Sequence, residues 1–213
     1  VTAPRTQFIL VRHGETVWNR LGRIQGHLDS PLSARGMAQA EGVAARLQRE
    51  AFDRLFCSDL GRARSTAEII AQHTGHAAEA DARLRERHYG IFEGLTRGEA
   101  RSTYPDVYAH YETEDVDYTI PGGESIRQCF RRNLECLQEL AARHAGNRIV
   151  IVAHGGVLDG LHRHVLGLPH SGARAFTIVN ASLNWFSCEG GVWRLDRWGD
   201  VEHLGQSEAL DDV

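Results

Sequence analysis

Two histidines stand in nearly the same setting. In "LVRHGETVWN" (Leu10 to Asn19) an apolar run passes straight into Arg12, His13 and Gly14. In "RIVIVAHGG" a β-branched run ends on His154, Gly155 and Gly156. A third apolar segment, "LFCSDLGR", leads within a few residues to Arg62. Taken alone, an imidazole at such a place can ligate a metal, act as a general base, attack as a nucleophile, or simply end a strand. The surroundings narrow the choice. A guanidinium is a permanent planar cation that fits phosphate or carboxylate. Glycine after each histidine lets backbone N–H groups approach a ligand, and a helix starting there favours an anion. Two imidazoles, two arginines and exposed amides together suit an oxyanion such as phosphate. A metal is served less well: no H-x-x-x-H helix or carboxylate cluster accompanies these residues. His162 and His164 are two apart on a predicted helix and face different ways. "EDVD" (Glu114–Asp117) reads as a solvated loop, since no liganding pattern repeats there.

These groups can meet only if the elements that carry them converge. Gln7–Val11, Asp53–Ser58 and the run from Arg148 read as strands. Ser33 is a candidate N-cap, with Met37, Ala40, Ala44 and Leu47 following at helical spacing. "SDLGRARSTAEIIAQHTG" places Ala63, Thr66, Ala67 and Ile70 on one face and ends at Gly75. Thr96 with Glu99 forms a capping box, and "YAHYETEDVDYT" reads as an acidic, aromatic loop. "PGGES" opens a helix to His144 with Ile126, Phe130, Leu134, Leu137 and Ala141 as its stripe. "GVLDGLHRHVLGL" is a further helix, Gly190 and Gly191 turn a hairpin, and the tail "GQSEALDDV" reads as loose. Strands alternating with helices predict an α/β fold: a three-layer sandwich, its central sheet mostly parallel, with helices on both faces. No linker or repeat divides residues 1–213, so one domain is expected. Ligands of such sheets bind beyond the carboxyl ends of the strands, which puts Arg12, His13, Arg62 and His154 on one rim.

The bulk numbers agree. With 213 residues, 42% of them hydrophobic, the chain can bury a core of its own. A net charge of −4 argues against nucleic acid as a partner. All 24 basic residues are arginine, for which codon bias is a simpler cause than function. Cys57, Cys129, Cys136 and Cys188 form no C-x-x-C pair and read as buried thiols of a reducing compartment. No leader-like or membrane-length apolar run occurs, so the cytoplasm and no membrane partner are expected. The exposed hairpin strands leave room for a homodimer.

Six segments, "RHGETVWN", "GHLDSPLSARGMAQA", "SDLGRARSTAE", "LRERHYGIFEG", "PGGES" and "VAHGG", resemble in that order the histidine phosphatase superfamily, also called phosphoglycerate mutase-like. The resemblance implies roles by position. Arg12 and Arg62 clamp the phosphate, His13 becomes phosphorylated, and His154 is the second histidine. Glu86 gives the proton, Asn19 and Gln25 line the phosphate pocket, and the Gly155 amide adds a donor. It implies neither cofactor nor metal, with a small phosphorylated metabolite as partner. The chemistry stands beside it. A neutral imidazole is a competent nucleophile, and two neighbouring arginines disfavour its protonation. Phosphoryl transfer asks for positioning and charge stabilisation, and the leaving alkoxide needs a proton. A phosphatase of small phosphomonoesters is the first expectation. A phosphoglycerate mutase is the alternative, favoured by "RERHYG" and Arg97. Against it stands the short, acidic Tyr104–Pro121 segment, where that branch carries a longer insertion with paired basic residues. A non-catalytic phospholigand-binding domain ranks last, because His13, His154 and Glu86 are all present.

Overall fold

The computed structural model describes residues 4–205; the tail expected to be loose lies almost wholly outside them. A six-stranded sheet forms from β1 (Thr6–Arg12), β2 (Arg54–Cys57), β3 (Ala78–Ala80), β4 (Arg148–Ala153), β5 (Leu183–Glu189) and β6 (Val192–Asp200). Its order is β3-β2-β4-β1-β5-β6. β3, β2, β4 and β1 pair in parallel, whereas β5 runs antiparallel to both its neighbours. The antiparallel part is the expected hairpin, turned by Gly190 and Gly191 at φ of +56° and +82°. Both glycines sit in the left-handed region that type I′ turns require.

Each face of the sheet carries its own core. On one, α2 (Ala34–Leu47) and α3 (Gly61–Thr74) bury Val43, Leu47, Ala67 and Ile70 against Ile9, Val11 and Val150. On the other, α6 (Ile126–Arg143) and α7 (Gly155–Leu166) bury Leu137, Leu140 and Leu161 against Phe8, Leu10 and Ile151. Strands buried on both sides explain why β1 and β4 read as unbroken apolar runs. The α/β layered reading holds.

The caps fall largely where the sequence puts them. Ser33 accepts from the Gly36 amide, and Ser125 and Thr96 close capping boxes with Gln128 and Glu99. α3 ends on Gly75 at φ 74°. Three local expectations need correction. Met37 is exposed, because α2 turns Gly36, Gln39 and Ala40 inward. There a Cβ on Gly36 would overlap the Glu15 carbonyl, so glycine is what lets the helix approach the loop after β1. The segment taken as a loop begins with α5 (Pro105–Glu112), entered by Pro105 in the first turn, where its missing N–H costs nothing. It follows α4 (Arg97–Thr103), and its tyrosines join Phe92 and Ile120 in a third, smaller core. Finally, α6 buries Leu137 and Ala141 of the predicted stripe, but beside them it buries Cys129, Asn133, Cys136 and Leu140, while Ile126, Phe130 and Leu134 are only half-buried. Asn133 is inside because its amide donates to the carbonyls of Arg83 and Arg85, at 2.7 and 3.3 Å. Among the described residues no helix is long and apolar enough to cross a membrane.

Candidate active site

Register explains the central pair. β1 and β4 align Arg12 with Ala153, and the His13 amide extends the ladder to the Ala153 carbonyl at 3.0 Å. One residue further on, His13 and His154 leave adjacent parallel strands, which are about 4.8 Å apart in any such sheet. Their rings lie 5.2 Å apart between centroids. Both are buried, His13 at 3% and His154 at 0% exposure, as are Arg12 at 3% and Arg62 at 2%. Four potentially cationic groups thus share one dry rim.

The state of His13 follows from its partners. Its Nδ1 lies 2.8 Å from the Gly14 carbonyl, which can only accept, so Nδ1 carries the proton. Nε2 is then the ring's basic nitrogen. Burial first, then the guanidiniums of Arg62 and Arg12, hold His13 well below the ordinary histidine pKa. His154 is lowered in the same direction by burial, then by Arg62, His13 and Arg12. Neither ring nitrogen of His154 has a hydrogen-bond partner among the described residues. A buried polar group left so is costly unless a ligand satisfies it. His154 occupies the N-cap position of α7, whose first amides point to the same rim.

The arginines are held by carbonyls. Arg12 Nη1 donates to the Ile178 carbonyl. Arg62 donates to the carbonyls of Gly26 at 2.8 Å and Leu28 at 3.1 Å, and to the Asp29 carboxylate at 3.1 Å. Asp29 also accepts the amides of Gly61 and Arg62, capping α3 from a distant loop. Thr66 Oγ1 joins the helix to the strand end: it donates to the Arg62 carbonyl at 2.9 Å and accepts the Gly14 amide at 3.1 Å. Arg64, two residues from Arg62, points instead to Glu68, its side chain 57% exposed.

Glu86 lies across the rim. Its Oε2 accepts the Gly156 amide at 3.0 Å and its Oε1 the Arg87 amide at 2.7 Å. The three arginines around it in sequence are engaged elsewhere. Arg83 pairs with Asp81 and Glu139, Arg85 with Asp59, and Arg87 donates to the carbonyls of Glu124 and Tyr118. A Cβ placed on Gly155 would lie 3.8 Å from Glu86 Oε2 and 3.9 Å from Arg12 Nε, so carboxylate and guanidinium meet at the start of α7. Asn19 and Gln25 are joined through Thr16. The Thr16 hydroxyl lies 3.0 Å from Asn19 Oδ1 and 2.9 Å from Gln25 Oε1, and Asn19 completes the capping box of α1 (Val17–Arg20). Gln25 precedes Gly26, whose carbonyl holds Arg62.

Other residues support the site. Glu93 is 5% exposed in its side chain and accepts the amides of His27, Leu28 and Tyr89 at 2.8, 3.0 and 2.9 Å. Glu15 accepts Ser33 Oγ at 2.6 Å and steadies the start of α2. Sequence reasoning gave no role to Asp29, and placed Thr66 only on the buried face of its helix.

Two fixed cations, two neutral imidazoles, a carboxyl and the amides of a helix start are the equipment of a phosphoryl-transfer centre. The comparisons agree. The family model for the histidine phosphatase superfamily (branch 1) matches residues 8–201, and the chain belongs to that superfamily. It is 40% identical over 208 residues to phosphoglycerate mutase-like protein 4 of Arabidopsis thaliana, covering 96% of this chain and 89% of that protein. It is 37% identical to the metal-independent phosphoserine phosphatase of the same plant, covering 93% and 83%. Among solved structures, YhfR of Bacillus stearothermophilus superposes with a TM-score of 0.87 at 33% identity, covering 94% of this chain and 100% of that one. The chain is an enzyme of the phosphatase class within this superfamily, in which mutase-type names also occur.

Proposed function

We propose that this enzyme hydrolyses small phosphomonoesters without a metal, in two half-reactions through a phosphohistidine at His13. In the first, the Nε2 lone pair attacks phosphorus as the P–O bond to the leaving group breaks. The leaving oxygen takes the Glu86 proton. Acid catalysis of this kind is worth roughly 100- to 10,000-fold. The phosphorylated ring is cationic and keeps its Nδ1 proton, which the Gly14 carbonyl stabilises. Arg12, Arg62, His154 and the Gly155 amide bear the charge on the three equatorial oxygens, a preorganised arrangement that needs no reorientation during transfer. In the second half-reaction Glu86, now a carboxylate, takes a proton from water. The water oxygen bonds to phosphorus, the P–N bond breaks, and orthophosphate leaves a neutral His13 and a protonated Glu86. Asn19 and Gln25 border the phosphate pocket through the loop that holds Arg62.

One observation carries this reading. The bond from His13 Nδ1 to the Gly14 carbonyl leaves Nε2 as the basic nitrogen, on a buried rim shared with His154, Arg12 and Arg62. The test is hydrolysis of p-nitrophenyl phosphate in excess EDTA. Steady release of nitrophenol is expected. No turnover on any member of a monoester panel would refute the proposal.

The mutase reading rests on "RERHYG" and on Arg97, which is exposed. The other cations of that region are already paired, Arg101 with Glu112 and Arg127 with Asp117. Interconversion of 2- and 3-phosphoglycerate with a bisphosphate primer would favour the mutase; its absence supports the hydrolase. The four cysteines are all free and buried, which supports a reducing compartment, the cytoplasm, as the place of work.

A further inference from the structure

Glu86 belongs to a stretch with neither helix nor strand, between the 3-10 turns Ala82–Leu84 and Gly90–Phe92. An acid that must meet the leaving oxygen cannot be left to such a stretch unaided, since a misplacement of about 1 Å can cost about 100-fold in rate. From α6, Arg132 donates to the carbonyls of Arg85 at 3.0 Å and Glu86 at 3.3 Å. Those bonds fix the stretch to a helix that carries none of the phosphate clamp. His27 does something else. Its Nε2 lies 2.9 Å from the Glu86 carbonyl. A carbonyl only accepts, so Nε2 carries the proton and the bond is complete in the neutral ring. The ring meets His88 edge to face, with centroids 4.4 Å apart, which fixes its plane. The residues on either side, Gly26 and Leu28, give Arg62 two of its carbonyl partners. Glu93 holds the His27 and Leu28 amides from below.

One side chain therefore spans from the loop that grips the phosphate-clamping arginine to the backbone of the proton donor. We propose that His27 is a positioning residue for the acid step, setting Glu86 at a fixed distance from the Arg62 clamp. This rests on the phosphatase reading above. In this role His27 acts through the backbone of Glu86. Its loss leaves the clamp and the nucleophile in place and lets the acid drift.

The experiment compares wild type, His27→Ala and His27→Gln. It measures kcat/KM on glycerol 2-phosphate, whose alkoxide needs a proton, and on p-nitrophenyl phosphate, whose phenolate scarcely does. It also measures inhibition by orthophosphate. A glutamine amide can donate from nearly the place of the imidazole Nε2. For His27→Ala we expect kcat/KM on glycerol phosphate to fall about 30- to 100-fold, with under about 5-fold loss on p-nitrophenyl phosphate. Orthophosphate inhibition should stay within about twofold, and His27→Gln should recover most of the glycerol phosphate activity. Equal losses on both esters, weakened orthophosphate inhibition, or a folded His27→Gln as impaired as His27→Ala would each overturn the positioning role alone. A wild-type enzyme that turns over neither ester would overturn the phosphatase reading, and the positioning role with it.

Discussion

Replacing Gly156 with alanine should separate stability from activity. Gly156 is in the first turn of α7, and no positive φ demands a glycine there. A Cβ at this position would overlap Glu86 Oε1 and lie 3.2 Å from Glu86 Cδ. What gives way is the end of a flexible side chain, so the fold loses little. The helix gains propensity, up to about 1 kcal/mol for glycine to alanine in a helix interior and less in its first turn. The carboxylate must retreat by about 1 Å to reach ordinary contact and stretches its 3.0 Å bond from the Gly156 amide. Misplacement of that size costs about 100-fold, or about 2.7 kcal/mol of transition-state stabilisation. The account predicts an unchanged or slightly higher urea midpoint, with kcat/KM on glycerol phosphate down about 100-fold and p-nitrophenyl phosphate much less affected. Full activity on the alkyl ester would refute the placement of Glu86 at the start of α7. A loss equal on both esters would mean that the methyl blocks the phosphate itself.

Other consequences follow from the same geometry. In the unfolded chain His13 and His154 titrate near 6.5, while the folded chain holds both lower. Above that pH both states are neutral. As pH falls below it, the unfolded chain takes up protons that the folded one refuses, so stability drops by up to about 1.4 kcal/mol per pH unit for each histidine. Urea titrations between pH 6.5 and 5 should therefore show a shallower loss for His154→Gln than for wild type, and equal slopes would contradict the buried neutral ring. For the same reason kcat/KM should not fall as pH crosses 6.5 from above; an acid limb centred there would mean that His13 titrates like a free histidine. Asp29→Asn removes a charge that caps α3 and pairs with Arg62. It should cost about 1 kcal/mol in urea unfolding and weaken orthophosphate inhibition, and unchanged inhibition would separate Asp29 from the clamp.

The histidines and Arg12 were legible because each has a local signature, whereas Glu86, Asn19 and Gln25 came only from the resemblance. Two apolar runs that stop at histidine and glycine mark strand ends, and a parallel sheet brings such ends together without further information. Arg62 was chosen over Arg64 by the resemblance, and the structure gives the reason: Arg62 shares the buried face of Thr66 and the apolar stripe. The supports were not legible in this way. Asp29 caps a helix 32 residues further along, Glu93 gathers amides some 65 residues away, and His27 reaches Glu86 across 59 positions. Such partners are set by packing, which spacing does not encode. α5 was missed because the side chains it turns inward are tyrosines, Tyr108 buried and Tyr111 half-buried, which read as loop beside so many acids. The α6 stripe was only half right: Leu137 and Ala141 are buried, but so is a polar residue, Asn133, which holds the carbonyls of the segment that carries Glu86. Hydrophobicity alone finds neither Asn133 nor α5.

The most direct test traps the intermediate. Enzyme mixed briefly with a radiolabelled phosphomonoester and quenched in alkali should carry label that survives base and is lost in acid, as a phosphorus–nitrogen bond requires. The His13→Ala protein, folded by circular dichroism, should carry none. Label that resists acid, or that persists in the His13→Ala protein, would contradict the claim that His13 takes the phosphoryl group.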